Sequence, residues 1–478
     1  MRPALVATLF LVGGFAACLD APAVEPEPAF STGVVSAVHP LVAAAGAEML
    51  RRGGNAVDAA AAVQWALNVV EPSMSGLGGG NMMLLWFNDT KEMVAIDGRE
   101  LSPSASTPDQ FLLPSGEPQP AATAQMRGYA VGVPGTLRAM ELAVRTYGNL
   151  PFDATFEPAI HIAEDGFGVD SYLAGYIAGS EAKLKSWPAS ARLFFRDVVC
   201  PPEQTPLVVS ANAGCVGGQA LGVGDTFSNP DLAKTFRTIQ NDGLSPFYGG
   251  EIGAAIVGAQ AAREGRMTIE DLRKYEAKVR EPLELEYNGH RVVSFPPASA
   301  GGLTMLEMLG ILEPFELGKK GHNSADTLHL MIEAMHLAYQ DRYAYIGDAD
   351  VVDVPIRGLL SPAFHAARRV LIDPARANDD PSPGDPRKHD GSQGGVDPAY
   401  ARDSSVHTTH YVVVDGWGNI ATVTTTIESV FGTGMVVPGF GFLLNNEMTD
   451  FDFRPGGPNS VAPNKRPRSS MTPTLVLQ

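Results

Sequence analysis

Two β-rich stretches near opposite ends of the chain, 81–97 and 409–444, constrain the fold more than any other feature, because mostly helical sequence separates them. Each is rich in β-branched, aromatic and aliphatic residues and is broken by turn-formers. The turns are Asn88-Asp89-Thr90 in the first and Asp415-Gly416-Trp417-Gly418-Asn419 in the second. The pattern predicts a hairpin of 81–87 with 93–96 and another of 409–414 with 420–427. That order fits a layered α/β sandwich better than a repeat array or a helical bundle. A hydrophobic share of 45% in 478 residues supplies the core such layers need.

Helix boundaries can be read before and between the two stretches. Pro40 stands near a helix start that Gly53-Gly54 closes, and Asn55 with Asp58 three residues on forms a capping box for a helix through Val70. Thr268 with Asp271 opens another helix. Ser324 caps a long one through Tyr345, and a strand pair near 283–295 turns at Asn288-Gly289.

The second β-rich stretch begins abruptly. Residues 373–407 are rich in Pro, Gly, Asp and Ser, have no apolar periodicity, and read as a long exposed loop. Thr408 sits at the hinge between that loop and a rigid strand, a position suited to a chain that cuts itself. Cleavage between His407 and Thr408 would make Thr408 an N-terminus. Its Oγ would then be the nucleophile and its α-amino group, with a pKa near ~8, the adjacent base.

A formal net charge of −18 argues against nucleic-acid binding and predicts a soluble acidic surface. Residues 1–18 read as an export signal, with Arg2 before an apolar run too short for an ordinary spanning helix. Phe15-Ala16-Ala17-Cys18 resembles a lipoprotein processing box, which makes Cys18 a lipidation site and 19–32 a tether. The expected location is periplasmic or on the outer side of the cytoplasmic membrane. Cys200 and Cys215 flank a Pro-rich loop, and the sequence leaves open whether they pair or stay as thiols.

Two patterns have bland explanations. The glycines of 76–80 lead into a strand and lack a lysine, whereas phosphate loops open a helix. His329, Glu333 and His336 share a helix face at metal-ligand spacing. However, Leu328, Met331, Ile332, Met335 and Tyr339 read as the core stripe, leaving the His/Glu row as a polar flank. The expectation is no metal and no organic cofactor.

Several segments together resemble the γ-glutamyltranspeptidase (glutathione hydrolase) family of N-terminal-nucleophile hydrolases. They are Gly-Gly-Asn-Ala-Val-Asp-Ala-Ala (53–60), the 71–80 segment ending Ser-Gly-Leu-Gly-Gly-Gly, Asp-Gly-Arg-Glu (97–100), Gly-Val-Pro-Gly (132–135) and Pro-Pro-Ala-Ser-Ala-Gly-Gly (296–302). Toward the end come Thr-Thr-His-Tyr (408–411), Phe-Gly-Thr-Gly (431–434), Leu-Asn-Asn-Glu-Met-Thr-Asp-Phe (444–451) and Pro-Asn-Lys-Arg-Pro-Arg-Ser-Ser-Met-Thr-Pro-Thr (463–474). Any one is weak; in this order they are specific.

The resemblance implies a four-layer αββα sandwich built jointly by a large part (33–407) and a small part (408–478), which remain together as a heterodimer. It implies glutathione and other γ-glutamyl amides as donors, and water, amino acids or peptides as acceptors. Thr408 would be the nucleophile and Thr426 the hydroxyl beside it. Arg99 would bind the donor's α-carboxylate as a planar fork, with Ser469 and Ser470 adding neutral hydrogen bonds. Glu447 and Asp450, with Glu428, would receive the α-ammonium. One cation against three carboxylates selects a zwitterionic amino-acid head over a dicarboxylic acid.

Two departures matter. Only 18 residues separate Asp450 from Ser469, which resembles the lidless relatives and suggests an open site for larger donors. The chain also stops at Gln478, before the Ser-Pro-Gly-Gly motif whose N–H groups form the family's oxyanion hole; losing one such donor typically costs about 10²–10³ in rate. The expectation is a truncated small part, most simply a fragment of a normal enzyme. The competing readings are a glutaryl-type cephalosporin acylase, which needs no ammonium-binding anions, and a non-catalytic surface lipoprotein.

Overall fold

The computed structural model describes residues 33–201, 214–391 and 407–478. The export signal, the tether and Cys18 lie outside the described residues, as do 392–406 of the pre-cleavage loop. The strands that frame the site are β1 (Gly33–Ser36), β2 (Gly80–Phe87), β3 (Glu92–Gly98), β4 (Lys278–Arg280), β5 (Leu283–Tyr287), β6 (His290–Ser294), β7 (Thr408–Asp415), β8 (Ile420–Thr426) and β9 (Thr474–Leu477). The helices used below are α1 (Pro40–Arg51), α2 (Ala56–Val70), α3 (Glu181–Lys185), α4 (Pro188–Phe194), α5 (Ala300–Leu312), α6 (Ala325–Tyr345) and α7 (Pro362–Arg369).

Both expected hairpins form, and they join into one antiparallel sheet in the order β1-β7-β8-β2-β3-β4. A second sheet, β9-β6-β5, lies against it. Strand β2 explains the stacking. Its run of apolar residues has no polar alternation because both of its faces are covered. Met83 and Leu85 share the core with α1 and α2, while Met82 and Leu84 pack with Phe295 and Met471 on the side of the second sheet. Beyond that sheet, Leu283 and Val292 pack on Leu303 and Leu306 of α5. The layers are helix, sheet, sheet, helix, as expected.

Sequence signals fix the ends. Asn55 Oδ1 accepts the Val57 and Asp58 N–H groups, and Asp58 returns a bond to the Asn55 N–H at 2.8 Å. Asp58 also accepts the N–H groups of Asn149 and Leu150, so one buried carboxylate ties two distant segments. Asp415 does the same for the second hairpin, accepting Trp417 and Asn419 within its turn and Ala56 at the start of α2.

Three expectations need correction or completion. First, α6 is rotated from its expected orientation. Leu328, Met331, Ile332 and Met335 are 40–49% exposed, and Tyr339 is half-buried. The buried face carries Leu330, Glu333, Ala334, Leu337, Ala338 and Asp341. Small Ala334 and Ala338 permit close approach, and the carboxylates on that face find partners, so burial does not leave them unpaired. His329 bonds the Asp373 carbonyl, Glu333 accepts the Asn378 N–H, and His336 is exposed, so the three do not converge.

Second, the stretch from 373 to 391 is docked, not free. Asp341 accepts the Gly384 N–H at 2.5 Å, Tyr345 donates to the Gly384 carbonyl at 2.6 Å, and Arg368 donates to the Ser382 carbonyl at 2.9 Å. Helix side chains supply the partners that turn-rich backbone cannot provide for itself. Third, Cys200 and Cys215 are bridged.

Replacing Asp58 by Ala is expected to strip three N–H groups, the buried one of Asn55 among them, of their acceptor and lower unfolding free energy by about 2–4 kcal/mol. A urea titration of the two proteins checks this.

Candidate active site

Register creates the centre of the site. Thr408 lies opposite Thr426, and Thr426 opposite Gly80. Directly opposed side chains on neighbouring strands share a face. Thr408 Oγ1 donates to Thr426 Oγ1 at 3.3 Å, and Thr426 Oγ1 donates to the His407 carbonyl at 3.0 Å. The Glu428 N–H in turn donates to Thr426 Oγ1 at 2.9 Å, and the His407 N–H to the Glu428 carbonyl at 3.0 Å. A single hydroxyl therefore connects the expected nucleophile to the carbonyl of the bond it would cut.

The glycine run serves this centre by letting backbones touch. A Cβ on Gly79 would collide with the Thr426 carbonyl oxygen, and one on Gly78 with that of Leu443. Close approach, not phosphate binding, accounts for these glycines.

Arg99 leaves the end of β3 and is wholly buried. Asp97 Oδ1 accepts its N–H, and the Tyr275 hydroxyl donates to its carbonyl, which fixes the backbone. Its guanidinium donates to the Pro467 carbonyl through Nε, to the Arg468 carbonyl and to Asp450 (2.5 Å) through Nη2, and to Glu447 through Nη1. The cation and the two anions expected for opposite ends of the donor are thus paired with each other. A further carboxylate, Glu100, lies 3.7 Å from Nη1 with no exposure.

Burial and crowding around one cation resist ionisation of Glu447 and Glu100. Burial pushes Glu447 up to about 7, although Arg99 opposes this. Burial, with repulsion from Glu447, raises Glu100 well above the usual carboxylate range. Burial disfavours charge on Arg99 too, but Glu447, Asp450 and Glu100 outweigh it and keep the guanidinium protonated.

The remaining expected residues lie around this pair. Glu428 is buried at φ +75°, two residues beyond Thr426, and Gln125 Nε2 donates to its carboxylate at 3.3 Å. Ser469 is buried beside the Arg99 anchor, its Oγ accepting the Met471 N–H, whereas Ser470 is exposed and accepts a bond from Arg342 at 2.7 Å. Sequence reasoning passed over Asn445 and Asn446. Asn445 bonds the backbones of Gly78, Gly132 and Glu447, and Asn446 holds Ser429 by its N–H and its Oγ. Their signal was present, since both stand inside the 444–451 motif. Glu71 likewise opens the 71–80 motif, whereas Gln125 and Arg342 gave no signal. Glu71, pushed up to about 7 by burial, lies beside the Thr409 side chain.

Because Glu447 holds its proton more tightly in the folded state, its contribution to stability is present at low pH and lost as pH rises through about 7. Unfolding free energy is expected to decline between about pH 5 and about pH 7, less steeply in Glu447→Gln. Urea titrations at the two pH values check this.

The family model described as Gamma-glutamyltranspeptidase matches residues 42–478. The glutathione hydrolase proenzyme of Bacillus subtilis (strain 168) is 42% identical over 448 residues, covering 93% of this chain and 73% of that protein. The crystal structure of Helicobacter pylori gamma-glutamyltranspeptidase superposes with a TM-score of 0.67 at 32% identity, covering 74% of this chain and 95% of that one. That of cephalosporin acylase from Bacillus halodurans gives 0.77 at 28% identity, covering 96% and 78%. The motifs, the layered fold and these similarities agree, and the chain belongs to the gamma-glutamyltranspeptidase family.

Proposed function

We infer that this chain is the precursor of a self-processing γ-glutamyltranspeptidase and glutathione hydrolase whose nucleophile is Thr408. The observation that carries the assignment of roles is the hydroxyl chain from Thr408 through Thr426 to the His407 carbonyl. As Thr408 Oγ adds to that carbonyl carbon, its proton passes to Thr426 Oγ, and the Thr426 proton passes to the carbonyl oxygen. Collapse breaks the C–N bond, the oxygen's proton moves to the departing Thr408 nitrogen, and an ester remains. With the α-amine already released by that cleavage, water hydrolyses the ester, freeing the Thr408 hydroxyl and leaving His407 with a carboxylate. The Glu428 N–H holds the Thr426 oxygen in line throughout.

In turnover the same Oγ takes the γ-glutamyl group from the donor amide, with the α-amine as base. The acyl group then passes to water or to an amino acid or peptide. Binding exchanges partners within the buried cluster: the donor carboxylate takes the Arg99 fork, and the donor ammonium takes Glu447, Asp450 and Glu428. Ser469 and Ser470 complete the carboxylate end. A glutaryl acylase would gain nothing from this crowd of anions, which favours the γ-glutamyl reading. The short 450–469 connection, pinned by Lys465 to the Pro458 and Ser460 carbonyls and by Arg468 to Asp452, supports a lidless site open to longer donors. Residues 1–18 and Cys18 support export as a lipid-anchored protein.

Wild type is expected to run as two bands on denaturing electrophoresis and to release nitroaniline from γ-glutamyl-p-nitroanilide. Thr408→Ala is expected to stay as one band and lose activity by more than about a thousandfold. Thr426→Val is expected to slow self-cleavage by about 10²–10³. An intact Thr408 peptide bond in fully exported wild-type protein overturns the reading. Palmitate labelling that survives in Cys18→Ala overturns the anchor.

A further inference from the structure

The corner formed by α3 and α4 grips the segment that follows Glu428. Lys183 Nζ donates to the Val430 and Gly432 carbonyls at 2.9 and 3.1 Å and to Ser429 Oγ at 3.4 Å. Ser190 Oγ donates to the Gly434 carbonyl at 2.6 Å, and Trp187 Nε1 to the Val436 carbonyl at 2.8 Å. Every second carbonyl from 430 to 436 is thus held by one corner of the large part. The Lys183 stem lies on Gly434, where a Cβ would come within 2.6 Å of its Cγ.

This segment requires a grip. Glu428 and Phe431 take φ values of +75° and +59°, conformations that L side chains keep only where the surroundings enforce them. The corner is itself braced. Arg263 donates to the Ser186 carbonyl at 2.7 Å, and the Cys215 N–H donates to the Lys185 carbonyl at 2.8 Å. Burial draws the Lys183 ammonium down from its ordinary pKa, and the Glu428 carboxylate opposes this, so the two charges interact.

We propose that Lys183 is a positioning residue for the ammonium end of the γ-glutamyl donor: by pinning 429–432 it fixes where the Glu428 carboxylate stands. This rests on the enzyme reading above. Lys183 itself touches protein only, and it acts through Glu428.

The test compares γ-glutamyl-p-nitroanilide with glutaryl-p-nitroanilide, which lacks only the α-ammonium, on the full-length protein. Lys183→Met is expected to lower kcat/KM for the γ-glutamyl donor by about tenfold to a hundredfold, mainly through KM. Glutaryl turnover is expected to change by less than about threefold, and Lys183→Arg to restore most of the donor ratio. Ser190→Ala, which releases Gly434 and Val436 but leaves 429–432 pinned by Lys183, is expected to leave the ratio unchanged. Should Lys183→Met fail to self-cleave, Lys183→Gln is read in the same way. An equal loss for both donors with a lowered Tm, or an unchanged donor ratio, overturns the proposal and leaves the enzyme reading standing. A wild type inactive on both donors overturns the enzyme reading and the proposal together.

Discussion

The register of β8 against its two neighbours is the constraint on which the site depends. That strand pairs β7 on one side and β2 on the other, so Thr408, Thr426 and Gly80 stand in one row although they come from distant parts of the chain. Side chains alternate along a strand, and a slip of one residue would send Thr426 to the opposite face and break the hydroxyl chain. The slip is prevented from several directions. Gly78 and Gly79 fit under the carbonyls of Leu443 and Thr426, Asn445 joins the backbones of Gly78, Gly132 and Glu447, and Asp415 binds the β7–β8 turn to α2.

The proposed donor site follows a different logic. Its groups are charged and buried, which is costly unless each finds a partner. Arg99, Glu447 and Asp450 answer that requirement by pairing with each other. A donor head bearing both charges can replace those contacts one for one, whereas a ligand with a single charge would leave one of the buried ions unmatched. In the proposed donor site, selectivity for amino-acid heads would thus arise from the cost of leaving buried charges alone, more than from shape.

Much of this was legible in the sequence where the cause is local. Asn55 with Asp58 and Thr268 with Asp271 form their capping boxes, Asn288-Gly289 turns its hairpin, and Thr408 opens a strand. The expected site residues Arg99, Glu447 and Asp450 meet, and so do Thr408 and Thr426. What sequence patterning missed depends on partners remote in the chain. The apolar spacing of α6 pointed to the wrong inner face because Glu333 and Asp341 find backbone N–H groups from the docked 373–391 stretch. That stretch looked unstructured because its partners lie on other elements. Lys183 drew no reading from the sequence, because nothing near it announces the carbonyls it holds.

The six-stranded sheet interleaves strands from both sides of the proposed cut: β7 and β8 lie between β1 and β2. Severing the chain before Thr408 therefore removes a covalent link without exposing a surface along which the products could part. A nicked molecule would stay assembled because separating its pieces means dismantling three hydrogen-bonded ladders, β1–β7, β2–β8 and β6–β9, and the core beneath them. Recovery after denaturation changes character, however. An uncut chain refolds at a rate independent of dilution, while the two fragments must first find each other in solution. Maturation would thus turn a reversible fold into one held chiefly by the slowness of its loss.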